Sequence, residues 1–152
     1  MFWFNREDPR AVFVDKREAQ LLVVDRGTAG TRGRKPKRIR PGVVADFTAL
    51  PFAANSFNHV VFDPPHLLGT PSSSGLLMFA YGSLRPQWKE DLRAGFSECF
   101  RVLKCGGTLI FKWSETQIPL REVLALTPHC PLYGHRTGKK AQTHWVAFVK
   151  TA

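Results

Sequence analysis

Asn58-His59-Val60-Val61-Phe62-Asp63-Pro64-Pro65-His66 is the stretch that decides how this chain is read. Val60-Val61-Phe62 is short, β-branched and aromatic, which is the make-up of a buried strand. Pro64 and Pro65 cannot donate to a sheet ladder, so the strand stops and a rigid turn follows. In open α/β sheets ligands collect at the carboxyl ends of the strands. Asp63 is therefore expected at the mouth of a crevice, beside the Pro64 carbonyl.

Downstream, the pattern alternates between helix and strand. Trp88, Leu92, Phe96, Cys99, Phe100 and Leu103 recur at helical spacing, which predicts a helix opened by Pro86 and stopped by Gly106-Gly107. Cys99 falls on its apolar face and reads as structural. Thr108-Leu109-Ile110-Phe111-Lys112-Trp113 is a buried strand, Pro119 opens a short helix through Leu126, and Thr143 to Lys150 form a final strand. Residues 66–75 are small and polar and read as a lid or acceptor-binding loop. Tyr81 reads more simply as a packed ring than as an acceptor contact.

Upstream, Val43-Val44-Ala45 is a strand ending at Asp46. Ala11-Val12-Phe13-Val14 ends at Asp15, and Leu21-Leu22-Val23-Val24 is the next apolar run. Only residues 15–20 separate those two, too few for a parallel crossover of roughly a dozen, so they are expected to form a hairpin. Gly27 to Gly33 is glycine-rich, but a run of cations follows it and no amphipathic helix does, so it is not a dinucleotide loop.

Composition narrows the function classes. At 152 residues and 43% hydrophobic content, one globular domain spanning 1–152 is expected. No apolar run is long enough to span a bilayer, and the first residues lack a signal-peptide pattern, so a cytoplasmic protein is expected. Cys99, Cys105 and Cys130 are an odd set and read as reduced thiols. His129, Cys130, His135 and His144 fit no zinc spacing, so no metal is expected. Lys and Arg number 22 against 12 Asp and Glu, a net charge of +10. Such an excess suits a polyanion, because neutralising phosphates releases counterions. Between residues 26 and 40 stand Arg26, Arg32, Arg34, Lys35, Lys37, Arg38 and Arg40 with no acid. This stretch reads as a flexible basic loop that is either merely solvated or a phosphate clamp, and the clamp is favoured. Lys139 and Lys140 lie in a second basic turn.

Asp63-Pro64-Pro65-His66 resembles the Asp-Pro-Pro-aromatic signature of the S-adenosylmethionine-dependent amino-methyltransferases, with His in the ring position. Residues 44–58 and 101–110 are similar to the segments on either side of that signature in class I methyltransferases. The resemblance spans about residues 43–113 and is nearest to the small methyltransferase-like proteins of phages and prophages. It implies an α/β, reduced Rossmann-like sheet, closed by an antiparallel strand pair, with an N-terminal β-hairpin and without the usual first strand, glycine loop and helix. It also implies roles. Asp63, Pro64, Pro65 and His66 would grip and stack the acceptor. Asp46 and Phe47 would meet the cofactor's adenine, and Asp63 would border the same cofactor. Asp15 would bind ribose hydroxyls or simply cap a turn. Arg32, Arg34, Lys35, Lys37, Arg38, Lys139 and Lys140 would meet nucleic acid. The implied activity is N-methylation of an amino group on a nucleic-acid base, with a homodimer completing a site that lacks its first unit. The alternative is a non-catalytic binding module with a degenerate cofactor site.

Overall fold

The computed structural model describes residues 3–5, 7–26, 32–69, 82–137 and 142–151 of the chain. It forms two compact units, residues 1–47 and 48–152.

The amino-terminal unit is built from four strands in two pairs. β1 (Val14–Asp15) runs parallel to β4 (Val43–Val44), with Val14 opposite Val43 and Asp15 opposite Val44. β2 (Ala19–Arg26) pairs antiparallel with β3 (Arg32–Ile39) along its whole length. The N-terminal hairpin therefore joins β2 to β3, and the hairpin expected between the 11–14 and 21–24 runs does not form. That expectation weighed only the short link between adjacent apolar runs. Residues 16–42 separate β1 from β4, which is ample for a parallel crossover. Val43 N–H donates to Phe13 O at 3.1 Å and Ala45 N–H to Asp15 O at 3.2 Å, extending the ladder past the two formal strands.

The basic stretch also differs from expectation. Arg32–Ile39 is strand, not loop, while residues 27–31 lie outside the described residues. An apolar strand such as β2 needs a ladder partner, and a strand with one neighbour tolerates Lys, Arg and Pro36.

The carboxyl-terminal unit carries a four-stranded mixed sheet in the order β5-β6-β8-β7. β5 spans Phe57–Phe62, β6 Leu103–Ser114, β7 Tyr133–Thr137 and β8 Thr143–Val149. β5 and β6 are parallel, and β8 is antiparallel to both β6 and β7. The antiparallel pair expected at the tail is thus in place, and the unit has a mixed, Rossmann-like α/β architecture.

Helix α1 (Trp88–Val102) buries Leu92, Phe96, Cys99, Phe100 and Val102. Phe96 sits at the centre of the aromatic core, 5.5 Å from Phe62, 4.9 Å from Phe111 and 6.2 Å from Phe148 between ring centroids. The periodicity placed Cys99 correctly, and burial pushes its thiol up to about 12. The helix begins after Gln87, so Pro86 lies just outside it.

The helix also ends sooner than Gly106-Gly107. It stops at Val102, because Leu103 turns extended and packs fully buried opposite Phe57. The two glycines instead make a bulge inside β6, where the register jumps from Phe57 opposite Leu103 to His59 opposite Thr108. Gly106 has φ +77°, and a Cβ on Gly107 would come within 2.9 Å of the Asn58 and Lys104 carbonyl oxygens. A second helix, α2, covers Leu120–Leu124 and buries Val123.

Candidate active site

Four strands of the carboxyl-terminal unit present one rim. β5, β6 and β7 end there and β8 begins there. At the tip of β5, Phe62 is anchored in the core and Pro64 is buried, while Asp63 between them faces solvent. The prolines end the ladder, as the sequence required, but residues 63–66 run on as irregular chain and not as the expected turn.

Asp63 does not stand alone. The Lys112 ammonium on β6 donates to both of its carboxylate oxygens, at 3.1 and 3.2 Å. The two side chains are 26% and 23% exposed, so the pair is partly desolvated. Lys112 Nζ also lies 5.8 Å from the centroid of the Trp145 ring, on β8. Register continues the row, with Lys112 opposite Trp145 and Trp145 opposite His135. Acid, ammonium, indole and imidazole therefore come from four neighbouring strands. The sequence reading did not single out Lys112. Its signal was a lone cation inside the otherwise apolar run Leu109 to Trp113.

His66 follows the two prolines and packs edge-on against the buried Trp113, with ring centroids 6.4 Å apart. Trp113 is in turn fixed by its indole N–H, which donates to Ile118 O at 2.9 Å. Burial holds the His66 pKa below the usual imidazole range; Asp63 pulls it back up and Lys112 pushes it further down. His66 is therefore neutral at pH 7 and offers a flat, uncharged ring.

The chain beyond it is pinned on two sides. Leu84 N–H donates to Leu67 O at 2.7 Å, Gly69 N–H to Leu84 O at 3.1 Å, and Leu68 N–H to Gln117 Oε1 at 2.6 Å. Residues 70–75 of the expected lid, and Tyr81, lie outside the described residues. Elsewhere on the rim His144 Nε2 stands 2.9 Å from Glu115 Oε1, but without hydrogen-bond alignment. Among the described residues, no three His, Cys, Asp or Glu side chains gather as metal ligands would.

In the amino-terminal unit, the parallel pairing of β1 and β4 brings Asp15 and Asp46 to neighbouring strand ends. Asp15 accepts from Arg17 three times, from its backbone N–H at 2.9 Å and its guanidinium at 3.0 and 3.1 Å. Asp46 has the Lys16 ammonium 3.9 Å away, and its side chain is one-third exposed. Phe47 is half-buried beside it. Two carboxylates at the ends of adjacent parallel strands are an acceptor pair that suits hydroxyl and amino groups. A shallow hollow of about 200 Å³ in this unit is lined by Glu18, Ala19, Gln20, Ile39 and Arg40, the last of them from the basic stretch. Among the described residues, no helix follows either strand pair of this unit, so no strand, glycine loop and helix is found there. Arg32, Arg34, Lys35, Lys37 and Arg38 all fall on β3, whereas Lys139 and Lys140 lie outside the described residues.

No family model matches the chain. Over 100 residues it is 36% identical to the biotin biosynthesis bifunctional protein BioHC of Saccharophagus degradans. That stretch covers 64% of this chain and 14% of BioHC, so the chain corresponds to a small part of that relative. Among solved structures, the PH0226 protein of Pyrococcus horikoshii OT3 shares the fold with TM-score 0.50 and 16% identity, over 72% of this chain and 58% of that one. TTHA0409 of Thermus thermophilus, a proposed DNA modification methylase, aligns at TM-score 0.42 and 17% identity over 67% of this chain and 48% of that one, too weak a likeness to add to the argument. No helix among the described residues is long and apolar enough to cross a membrane.

Proposed function

We propose that this chain is an S-adenosylmethionine-dependent methyltransferase that methylates an amino group, with a nucleic-acid base as acceptor. The sequence likeness to BioHC and the shared Rossmann-like fold support the class I methyltransferase type. The observation that carries the reading is Asp63, a partly exposed carboxylate just past the carboxyl end of β5 and next to the buried Pro64. On this reading residues 1–152 act as one functional domain, small and phage-like in type. The net charge of +10 and the basic strand β3 favour a polyanionic acceptor.

Bound S-adenosylmethionine would supply a methyl group already activated on a sulfonium. Asp46 and Phe47 would hold its adenine end, and Asp15 would meet ribose hydroxyls with the lone pair Arg17 leaves on Oδ2. An exocyclic amine is a weak nucleophile, because its lone pair is delocalised into the ring. The chain's task is therefore to orient and desolvate that amine. The Asp63 carboxylate and the Pro64 carbonyl would each accept one N–H. That favours a pyramidal nitrogen, whose positive charge develops only as the methyl arrives. The neutral His66 ring would stack on the acceptor, as flipped bases stack on flat side chains.

Labelled-donor assays on DNA, RNA and protein pools test the activity. Asp63→Ala is expected to abolish transfer while circular dichroism stays unchanged, and equal activity of the variant would refute the assignment. Light scattering tests the accompanying expectation of a homodimer.

The second reading is a non-catalytic module. It is favoured by the absence, among the described residues, of a glycine loop leading into a helix. Calorimetric titration with S-adenosylmethionine decides between the two, since silence at millimolar ligand with retained nucleic-acid binding selects the module.

A further inference from the structure

The Asp63–Lys112 pair has a consequence for what can be bound. A carboxylate meant to grip an amine is already held by an ammonium on both oxygens. An incoming neutral amine offers only a weaker, uncharged donor in exchange, and it leaves a partly buried cation without its partner. An acceptor that carries an anionic group near its amine solves both problems at once. Its anion takes Lys112 while its N–H groups take Asp63, so both charges stay paired. The ammonium has somewhere to go, because the Trp145 ring already lies 5.8 Å from it and a half-buried indole attracts a cation. The aliphatic stem of lysine allows such a swing.

We infer that Lys112 is a specificity-determining residue: it makes the Asp63 site select acceptors that bear an anionic group, phosphate or carboxylate, close to the amine. The inference rests on the reading of Asp63 as the acceptor-gripping carboxylate. A lysine merely bracing two strands would impose no such preference.

The test is equilibrium binding by calorimetry, without methyl donor, to two matched probe pairs. The first is 2-aminophenyl phosphate against 2-aminophenol; the second is 2-aminobenzoate against aniline. The wild type is expected to favour the anionic member of at least one pair by about tenfold or more, the worth of one charge-assisted bond. Lys112→Met should erase that preference by weakening the anionic probe while leaving the neutral one as tight or tighter. Lys112→Arg should keep it. Asp63→Asn, which leaves the ammonium unpaired, should keep or enlarge it, and this gives a result even if Lys112→Met folds poorly. A preference in the first pair alone identifies a phosphate-bearing acceptor, and in the second alone a carboxylate. No preference in either pair, or one that survives Lys112→Met, overturns the inference. Separate titration with S-adenosylmethionine keeps the two readings apart. Loss of cofactor binding with a retained Lys112-dependent preference would sink methyl transfer and leave this site standing.

Discussion

In the carboxyl-terminal unit, Leu109, Phe111 and Trp113 alternate along β6 with at most 1% of their surface exposed, and Phe96 meets three other core rings. In the amino-terminal unit, β1 and β4 pair over two residues each, and Val44 is 56% exposed. Every residue of the described core lies between Phe62 and Phe148. One unit is held by side chains that exclude water from each other. The β1–β4 pair of the other is held mainly by its backbone ladder. The difference decides which parts of a molecule tolerate side-chain change and which tolerate backbone change.

The largest effect expected from this contrast follows truncation of the central ring. Phe96→Ala should cost about 3–5 kcal/mol, since it removes the transfer energy of a buried aromatic and leaves a cavity among Phe62, Phe111 and Phe148. The shift in denaturant midpoint measures it. A loss under about 1 kcal/mol would mean that the core collapses around the gap and that packing does not hold this unit.

The same contrast explains what could be read from the sequence. The strand through Val60–Phe62, the body of the helix at 88–102, the later part of β6 from Thr108 to Trp113 and the strand at 143–149 announced themselves, because core-facing residues must recur at the period of their element. The parallel partnership of β1 with β4 did not. Two-residue strands carry no period, and which ladders pair across residues 16–42 is set by tertiary geometry and not by local pattern. Gly106-Gly107 was visible as an irregularity but was assigned to the helix end, because a helix stop and a strand bulge both call for a positive φ. At the site, the end of β5 at Phe62 was legible because the two prolines act locally. Lys112 was not, because its partner Asp63 is 49 positions away.

A paired substitution in the amino-terminal unit sharpens the contrast at a smaller scale. Val44→Ala removes an exposed side chain and should change stability by no more than about 0.5 kcal/mol. Val43→Pro removes the N–H that donates to Phe13 O and should cost about 1–3 kcal/mol. Thermal melting of the two variants side by side measures the difference. If the valine truncation proved the more damaging, this unit too would be held by side chains.

The smallest effect concerns titration, where packing at the rim of the carboxyl-terminal unit reaches into the chemistry. The His66 ring is half-buried against Trp113, and burial disfavours its charged form, so its folded-state pKa lies below the unfolded value near 6.5. Above pH 6.5 both states are neutral at this ring and it contributes no pH dependence. As pH falls through 6.5 the unfolded chain binds the proton first, so stability declines until the folded ring titrates as well. Proton NMR should find the His66 midpoint below the ordinary imidazole value. Asp63 raises that midpoint and Lys112 lowers it, so Asp63→Asn should move it down and Lys112→Met should move it up. Opposite movements of one resonance would establish that His66 senses both members of the ion pair. If neither substitution moved it, His66 would belong to the packing around Trp113, and the stacking role proposed for it would lose its basis.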